Sequence, residues 1–534
     1  MEPIEIRSAV GRKQAIQFGR EGHALFGFYH PPREGPWRGV GVVLCRPIGT
    51  DQTRSDRAYR HLAERLAASG FACLRFDLFG TGDSGGDEFA PGLVKTWLDD
   101  VGLAIDELRA RSGAKTIALA GLRLGATLAL VEAAERGDVD ALVLWSPWVS
   151  GAAFISEVTK LHQLFLRIEP QMTEAFPTRP GCEEALGLLL PRAVIDDLSG
   201  IDFHKVTRRP ARRTLFIDGG NVQGRDAMMA HLRELRAAPE LRSHPGQKFL
   251  ITISHRASLP DEVLDSIVGW LKEVYPSSVP EQSPPPRSSA PAPMGERPIR
   301  FGERNPLFGI FTPANPARAR PERPGILILN AGAVNRAGPH RLNVKMARQW
   351  AQLGFDVLRF DLSGIGDSPV AASSVENLTY PASGLDDISE AIATFGSRRA
   401  IVIGLCSGGD YAFQIGARHP KVAGAGLLNP RTFCVLDLAS VESADSEPPA
   451  TPVEEVPRAL RRMAESGVDT LLLVSPKDPG VSYVDFHASD AMRAVASVPG
   501  FRRVNLAATD HTFTPIAAQD RVINLVTDHL LARH

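Results

Sequence analysis

AIVIGLCSGGDYAF, Ala400 to Phe413, passes from an apolar run through a glycine frame into a helical pattern. The run Ala400 to Gly404 reads as a buried strand, and Tyr411 and Phe413 open an apolar helical face. Between them stands Gly404-Leu405-Cys406-Ser407-Gly408. A Gly-x-Ser-x-Gly frame makes a sharp strand-to-helix turn that lifts its middle residue above a sheet. Here cysteine holds the middle position, and a serine stands one place later.

The same unit occurs earlier in the chain. GLRLGATLAL, from Gly121, parallels GLCSGGDYAF, with Arg123 at the place of Cys406. IQFGREGHALFGFYHPP, from Ile16, returns as IRFGERNPLFGIFTPAN, from Ile299. ASGFACLRFDLFGTGDS, ending at Ser84, returns as QLGFDVLRFDLSGIGDS, ending at Ser368, and WLDDVGLAIDEL, from Trp97, returns as GLDDISEAIATF, from Gly384. Order is kept, and Phe18 to Phe301 and Arg123 to Cys406 are each 283 positions apart. Repeats that keep order and spacing mean a duplicated domain. Between the copies, the segment from Tyr275 to Pro298 is dominated by proline and serine and reads as an extended spacer. The expected organisation is residues 1–275, a linker at 276–298, and residues 299–534, the halves being separable folding units.

Each half alternates short apolar runs with helical patterns. In the second they are GILILN (Gly325 to Asn330), FDVLRF (Phe355 to Phe360), AIVIG, AGAGLLN (Ala423 to Asn429), TLLLV (Thr470 to Val474) and VNLAA (Val504 to Ala508). This alternation predicts an α/β fold with a doubly wound, mostly parallel sheet in each copy. The longest breaks, from about Gly151 to His204 and from Arg431 to about Glu465, follow the strand after the glycine turn. They are expected to be caps over the strand ends.

Strand, turn, cap, acid and terminal histidine together resemble the α/β-hydrolase superfamily, in two copies. RFDLSGIGDS is similar to the turn that often follows the fourth strand there. NAGAVNRAGPHR (Asn330 to Arg341) with GLCSGG and GLRLGA look like the exosortase-associated bacterial hydrolases. The cysteine turn alone is similar to dienelactone hydrolases and polyhydroxyalkanoate synthases, in which cysteine carries the acyl group.

Acyl transfer needs a nucleophile, a base, an orienter and an oxyanion hole. In chain order the candidates are Cys406, Asp478 in TLLLVSPKDPG and His511 in VNLAATDHTFTP. Asp485 and Asp510 are alternative orienters. The oxyanion donors are expected at the N–H of Ser407 and in the loop after GILILN, at Gly332 or Ala333. Arg336, His340 and Arg341 of that loop read either as receptors for a substrate carboxylate or phosphate, or as a solvated helix start. In the first copy Asn221 stands opposite Asp478 and His255 opposite His511. A guanidinium is no acyl nucleophile, so the triad reaction is not expected there. Arg123 reads as an anion receptor, or the first copy as a domain kept for folding or docking.

The expected function is an acyl hydrolase or acyltransferase acting on an ester or thioester through an acyl-cysteine. The acyl group would be a small molecule, free or carried on CoA or an acyl carrier protein. The competing readings are amide cleavage, and a binding or scaffold protein in which Cys406 is a packed thiol. With 534 residues, 43% apolar and 23% charged, and a net charge of -1, the chain has the composition of globular protein and no electrostatic case for nucleic acid. No apolar run reaches the ~20 residues of a membrane span. The start, MEPIEIRSAVGRK, lacks a secretory pattern, and five scattered cysteines have no metal-ligand spacing, so a reducing cytoplasm is expected. No motif calls for a metal, nucleotide or other cofactor.

Overall fold

Apolar runs of four to eight residues, bounded by Gly, Pro and Asn, form strands that are buried on both faces. The computed structural model describes residues 13–276 and 295–534, except 34–35, 171, 173–178, 221, 246–247, 251, 253, 304–305, 373, 434–454, 477, 488 and 497–499. The first copy contains β1 (Gln14–Arg20), β2 (His23–His30), β3 (Val40–Cys45), β4 (Ala72–Asp77), β5 (Thr116–Leu122), β6 (Ala141–Trp145), β7 (Cys182–Ala185), β8 (Leu188–Pro191), β9 (Arg213–Asp218) and β10 (Pro239–Ser243). The second contains β11 (Arg297–Phe301), β12 (Leu307–Thr312), β13 (Gly325–Ile328), β14 (Val357–Asp361), β15 (Ala400–Leu405), β16 (Val422–Leu428), β17 (Asp469–Val474) and β18 (Phe501–Asn505).

Two eight-stranded sheets result, ordered β1-β2-β4-β3-β5-β6-β9-β10 and β11-β12-β14-β13-β15-β16-β17-β18. In the second, the β11–β12 and β12–β14 pairs are antiparallel and the others parallel. Helices cover both faces. Ile388, Ala391 and Ile392 of helix Gly384–Ala393 share a core with Leu327, Val402 and Leu427, while Val522, Val526 and Leu530 of helix Ile516–Arg533 pack on the opposite face. Such sheets present ligand sites at the carboxyl ends of their strands. The turns after β5 and β15 lie there.

The copies meet through β2 and β12. Phe26, Phe28, Phe308 and Ile310 form a dry cluster, with the Phe28 and Phe308 rings 5.1 Å apart. A buried charge network surrounds it. Arg75 of the first RFD phrase pairs with Asp367 of the second copy, and Arg359 of the second RFD phrase pairs with Asp83 of the first at 2.6 Å. The repeated phrase thus contributes a cation and an acceptor to each side. Its glycines set the acceptors: a methyl at Gly82 or Gly366, both at positive φ, would overlap the Asp77 or Asp361 carboxylate that receives the Asp83 or Asp367 N–H. Burial opposes ionisation of Asp83, but Arg336 and Arg359 outweigh it and hold its carboxyl below the usual range. At the rim, Glu376 receives Arg57 at 2.6 Å, His61 at 2.8 Å and also Arg60. Parting the halves would strip these buried charges of their partners. Of the spacer, residues 277–294 lie outside those described, and Glu296 is buried against Arg359 at 2.9 Å.

The cap of the first copy holds helix Gly151–Ile168, as its sequence pattern suggested, but also the hairpin β7–β8. That hairpin reaches the second copy: Glu184 accepts the Ile516 N–H at 2.9 Å. In the second cap, residues 434–454 are outside the described set, and helix Glu455–Glu465 follows.

Candidate active site

Cys406 sits between β15 and helix Ser407–Gly416 at φ 60°, ψ -124°. Two glycines allow this left-handed turn: a methyl at Gly404 would lie 2.2 Å from the Gly408 backbone, and one at Gly408 would lie 2.6 Å from the Asn330 carbonyl oxygen. Asp478, buried at the end of the β17 loop, hydrogen-bonds His511 Nδ1 through Oδ2 and accepts the Gly480 N–H at 2.9 Å through Oδ1. With Nδ1 on Asp478, the Nε2 of His511 is left for Cys406, whose field acts on the ring. Burial works against the charged imidazole, but Asp478 and Cys406 outweigh it and raise His511 to about 10. The structure therefore brings Cys406, His511 and Asp478 together at one edge of the sheet. The alternative orienters are engaged elsewhere. Asp485 pairs with Arg503 at 2.8 Å, and Asp510 accepts the Thr514 N–H at 2.6 Å.

The structure distinguishes the two N–H groups offered for the oxyanion loop. The Gly332 N–H donates to Ser407 Oγ at 2.9 Å, so it is taken. That same bond turns the Ser407 hydroxyl inward, where it is 1% exposed. The backbone N–H groups of Ser407 and Ala333 have no acceptor among the described residues.

The cationic candidates are also redistributed. Arg336 is 3% exposed and clamped by Asp83 at 2.6 Å, Asp361 at 2.7 Å and Asp367 at 3.1 Å, so it joins the copies and has no free fork for a substrate. Arg341 is no solvated helix start: it donates to the carbonyl oxygens of Gly80, Gly82 and Ser84 at 2.9, 2.9 and 2.6 Å. His340 lines the cavity, where burial lowers its imidazole to about 4 and Gly187 of the first-copy hairpin packs against it. Arg123 lies over the Trp148 ring at 4.3 Å and beside Asp51 at 3.4 Å, and it does not line that cavity. Asn221 lies outside the described residues. His255 has left its own copy's site and packs near Gly332 of the second copy, held by Asn377, which donates to the Ser254 carbonyl at 2.8 Å.

One positioning residue escaped the sequence reading. Asn429, at φ 41° just past β16, donates to the His511 carbonyl at 2.9 Å and accepts the Ser475 N–H at 2.7 Å, tying the histidine loop to the acid loop. Its first-copy equivalent, 283 positions earlier, is Ser146, whose Oγ accepts the Gly219 N–H at 3.2 Å. The signal was an asparagine at a strand end before proline.

Cys406 and His511 open into a cavity of about 520 Å³ between the copies. The first copy supplies Ile48, Leu93, Trp97 and the hairpin residues Leu186 to Leu190; the second supplies Ala331 to Arg341. Among the described residues no His, Cys, Asp and Glu group is arranged to hold a metal ion, and no helix is long and apolar enough to cross a membrane.

The profile of the family described as "Serine aminopeptidase, S33" matches residues 53–243, and that described as "alpha/beta hydrolase fold" matches residues 324–465. The chain is two α/β-hydrolase domains in tandem. The aminopeptidase profile falls on the α/β-hydrolase domain that carries Arg123 at the turn after β5. No curated protein matches the chain. Among solved structures it is similar to Est1E from Butyrivibrio proteoclasticus with ferulic acid bound, at 20% identity and TM-score 0.37 over 48% of this chain and 98% of that one. It is similar also to XC6422 from Xanthomonas campestris, an a/b serine hydrolase without lid, at 17% identity and TM-score 0.35 over 50% and 97%. The Pyrococcus furiosus esterase Pf2001 matches at 15% identity and TM-score 0.36 over 49% and 91%.

Proposed function

We propose that this protein is an acyl hydrolase or acyltransferase whose second domain works through an acyl-cysteine. The observation that carries the reading is the Cys406–His511–Asp478 series at the wall of a largely apolar cavity. Cys406 Sγ, its proton already held by His511 Nε2, attacks the carbonyl carbon of an ester or thioester as a thiolate. An imidazolium beside the sulfur is the partner that a thiolate needs. Charge on the carbonyl oxygen is met by the Ser407 and Ala333 N–H groups, and such a donor is worth ~3 kcal/mol in the transition state. The tetrahedral adduct collapses as His511 protonates the departing alcohol or thiol. Water, an alcohol or an amine then attacks the acyl-cysteine, giving up its proton to His511, and Cys406 is released. Asp478 keeps the Nδ1 proton in place throughout.

The first domain takes no part in bond making. It walls the pocket: Leu93, Trp97 and the hairpin leucines fit an apolar acyl group. A donor carried on CoA or an acyl carrier protein fits a cavity that opens beside the sulfur, and the likeness to exosortase-associated hydrolases belongs to the same proposal. The test is intact-mass analysis after incubation with a panel of acyl esters and thioesters. One acyl mass on Cys406 is expected, lost faster with an added acceptor for a transferase and equally without one for a hydrolase. No adduct on any donor, with Cys406 reacting with iodoacetamide no faster than an ordinary thiol, would overturn the reading.

A further inference from the structure

Charge inside the shared cavity is nearly all consumed by other protein groups. Arg46 is held by Asp77 at 2.5 Å and Asp56 at 2.6 Å, Arg75 by Asp367, and Arg336 by three carboxylates. Two lining cations differ. Arg54, on helix Thr50–Ala68 of the first domain, donates through Nη1 to the Leu250 carbonyl at 2.7 Å and forms no ion pair among the described residues. The nearby acid, Asp51, is engaged with Arg123. Burial penalises the Arg54 charge, and Asp51 only partly offsets it. Arg54 and Ala333 together line both the main cavity and a small recess joined to it, so this guanidinium stands at the oxyanion loop of the other domain.

Arg431 is the second. It follows β16, its side chain is exposed, and it too forms no ion pair among the described residues. The repeat explains its placement. Arg431 is 283 positions after Trp148, and Cys406 is 283 after Arg123. In the first domain Trp148 stacks on Arg123. In the second, the equivalent positions hold Arg431 and Cys406, and both line the shared cavity. The field of Arg431 reaches His255, Tyr380 and Asp410. Asp410 is the nearby carboxylate, but its oxygens are occupied by the Tyr380 hydroxyl at 2.6 Å and the Thr432 and Phe433 N–H groups at 3.0 and 2.7 Å.

We propose that Arg54 and Arg431, one from each domain, bind an anionic group of the acyl donor beside Cys406, so that the preferred substrate is an ester or thioester bearing a carboxylate or a phosphate. The proposal rests on the acyl-transfer reading of Cys406. Its chemical basis is that a guanidinium offers a planar fork of donors that matches either anion, and that the partly buried Arg54 has no carboxylate paired with it among the described residues. A carboxylate would belong to the acyl part, and a phosphate to the leaving group. His255, whose imidazole is lowered by burial and then by Arg256 and Arg431, lines the same cavity.

Two measurements on the full-length protein test this. The first compares alkylation of Cys406 by iodoacetate, which is anionic, and iodoacetamide, which is neutral, followed by peptide mass. The ratio of the two rates should fall roughly 10-fold or more in the Arg54→Gln, Arg431→Gln double variant, the scale of one lost charge-assisted contact. The Arg54→Lys, Arg431→Lys variant should recover part of it, which a change in packing would not do. An unchanged ratio would overturn the proposal. The second compares kcat/KM for three matched thioesters: one neutral, one with a terminal carboxylate on the acyl group, one with a phosphate on the thiol. The preference for one anionic donor over the neutral one should fall by the same factor in the double variant, and the donor that shows the fall tells which source the site reads. A preference unmoved for both would count against the proposal. If no thioester acylates Cys406, the acyl-transfer reading fails, while the alkylation ratio still decides the anion site.

Discussion

Arg123 and Cys406 occupy the same turn in two copies of one fold, at φ 55°, ψ -125° and φ 60°, ψ -124°. The strained backbone is present in both domains, although only the second carries a cysteine there. It is kept by close packing: a methyl at Gly125 would lie 2.4 Å from the Cys45 carbonyl oxygen, as one at Gly408 would press on Asn330. Fold and turn therefore do not make a site. What separates the domains is what surrounds the turn. Around Cys406 stand His511, Asp478 and Asn429, which ties their loops; around Arg123 stand Asp51 and Trp148, with His255 drawn away to the neighbouring domain.

The sharpest way to break this contrast is to move the nucleophile. Cys406→Ala and His511→Ala should each lower turnover by roughly 10³-fold or more, because members of such a series act as a unit. Arg123→Cys should gain no acyl adduct on intact-mass analysis, and an adduct there would show the first domain to be one substitution from activity. Next comes the interface. Arg336→Met leaves Asp83, Asp361 and Asp367 short of a partner and should cost about 3–5 kcal/mol in urea unfolding. Arg123→Ala, by contrast, removes a part-exposed pair and should cost within ~1 kcal/mol. Asp478→Asn should reduce kcat by roughly 10²-fold with the fold intact, through loss of the imidazole's orientation, read by steady-state kinetics and circular dichroism. The smallest effect is in pH dependence. His511 is raised to about 10 in the folded protein, against ~6.5 unfolded. Its contribution to stability is full below pH ~6.5 and is lost as pH rises through about 10. Asp478→Asn should flatten that part of the urea-midpoint profile between those limits, and no such part arises at Asn221 of the first domain, which has no acid to lose.

The duplication, the parallel sheets and the chain order of cysteine, acid and histidine were legible because they are local patterns repeated along the sequence. Arg336 and Arg341 were misread because their acceptors, Asp83 and the Gly80 to Ser84 carbonyls, belong to the other copy, and a repeat says nothing of how its copies face each other. The choice between Gly332 and Ala333 was not legible because a single hydroxyl, that of Ser407, engages one of two adjacent N–H groups. The hairpin β7–β8 was missed because its strands have four residues each, too short for a period to show. VNLAA was placed late: the strand is Phe501–Asn505, and its last residues already belong to the turn that delivers His511.

Arg75 to Asp367 and Arg359 to Asp83 are the same contact made twice, in opposite directions. That is the pattern of an isologous dimer, in which a residue of one subunit meets its partner's acceptor and the converse holds. In a dimer of identical chains every substitution appears at both sites, so a change that improves a pocket wall also alters the nucleophile's surroundings opposite. Joining the subunits in one chain lifts that constraint. One half can give up its cysteine for an arginine and lend its histidine loop and hairpin to the other without a second copy of either change. The tether also fixes the partner at constant effective concentration, so the asymmetric pocket assembles at any dilution of the protein.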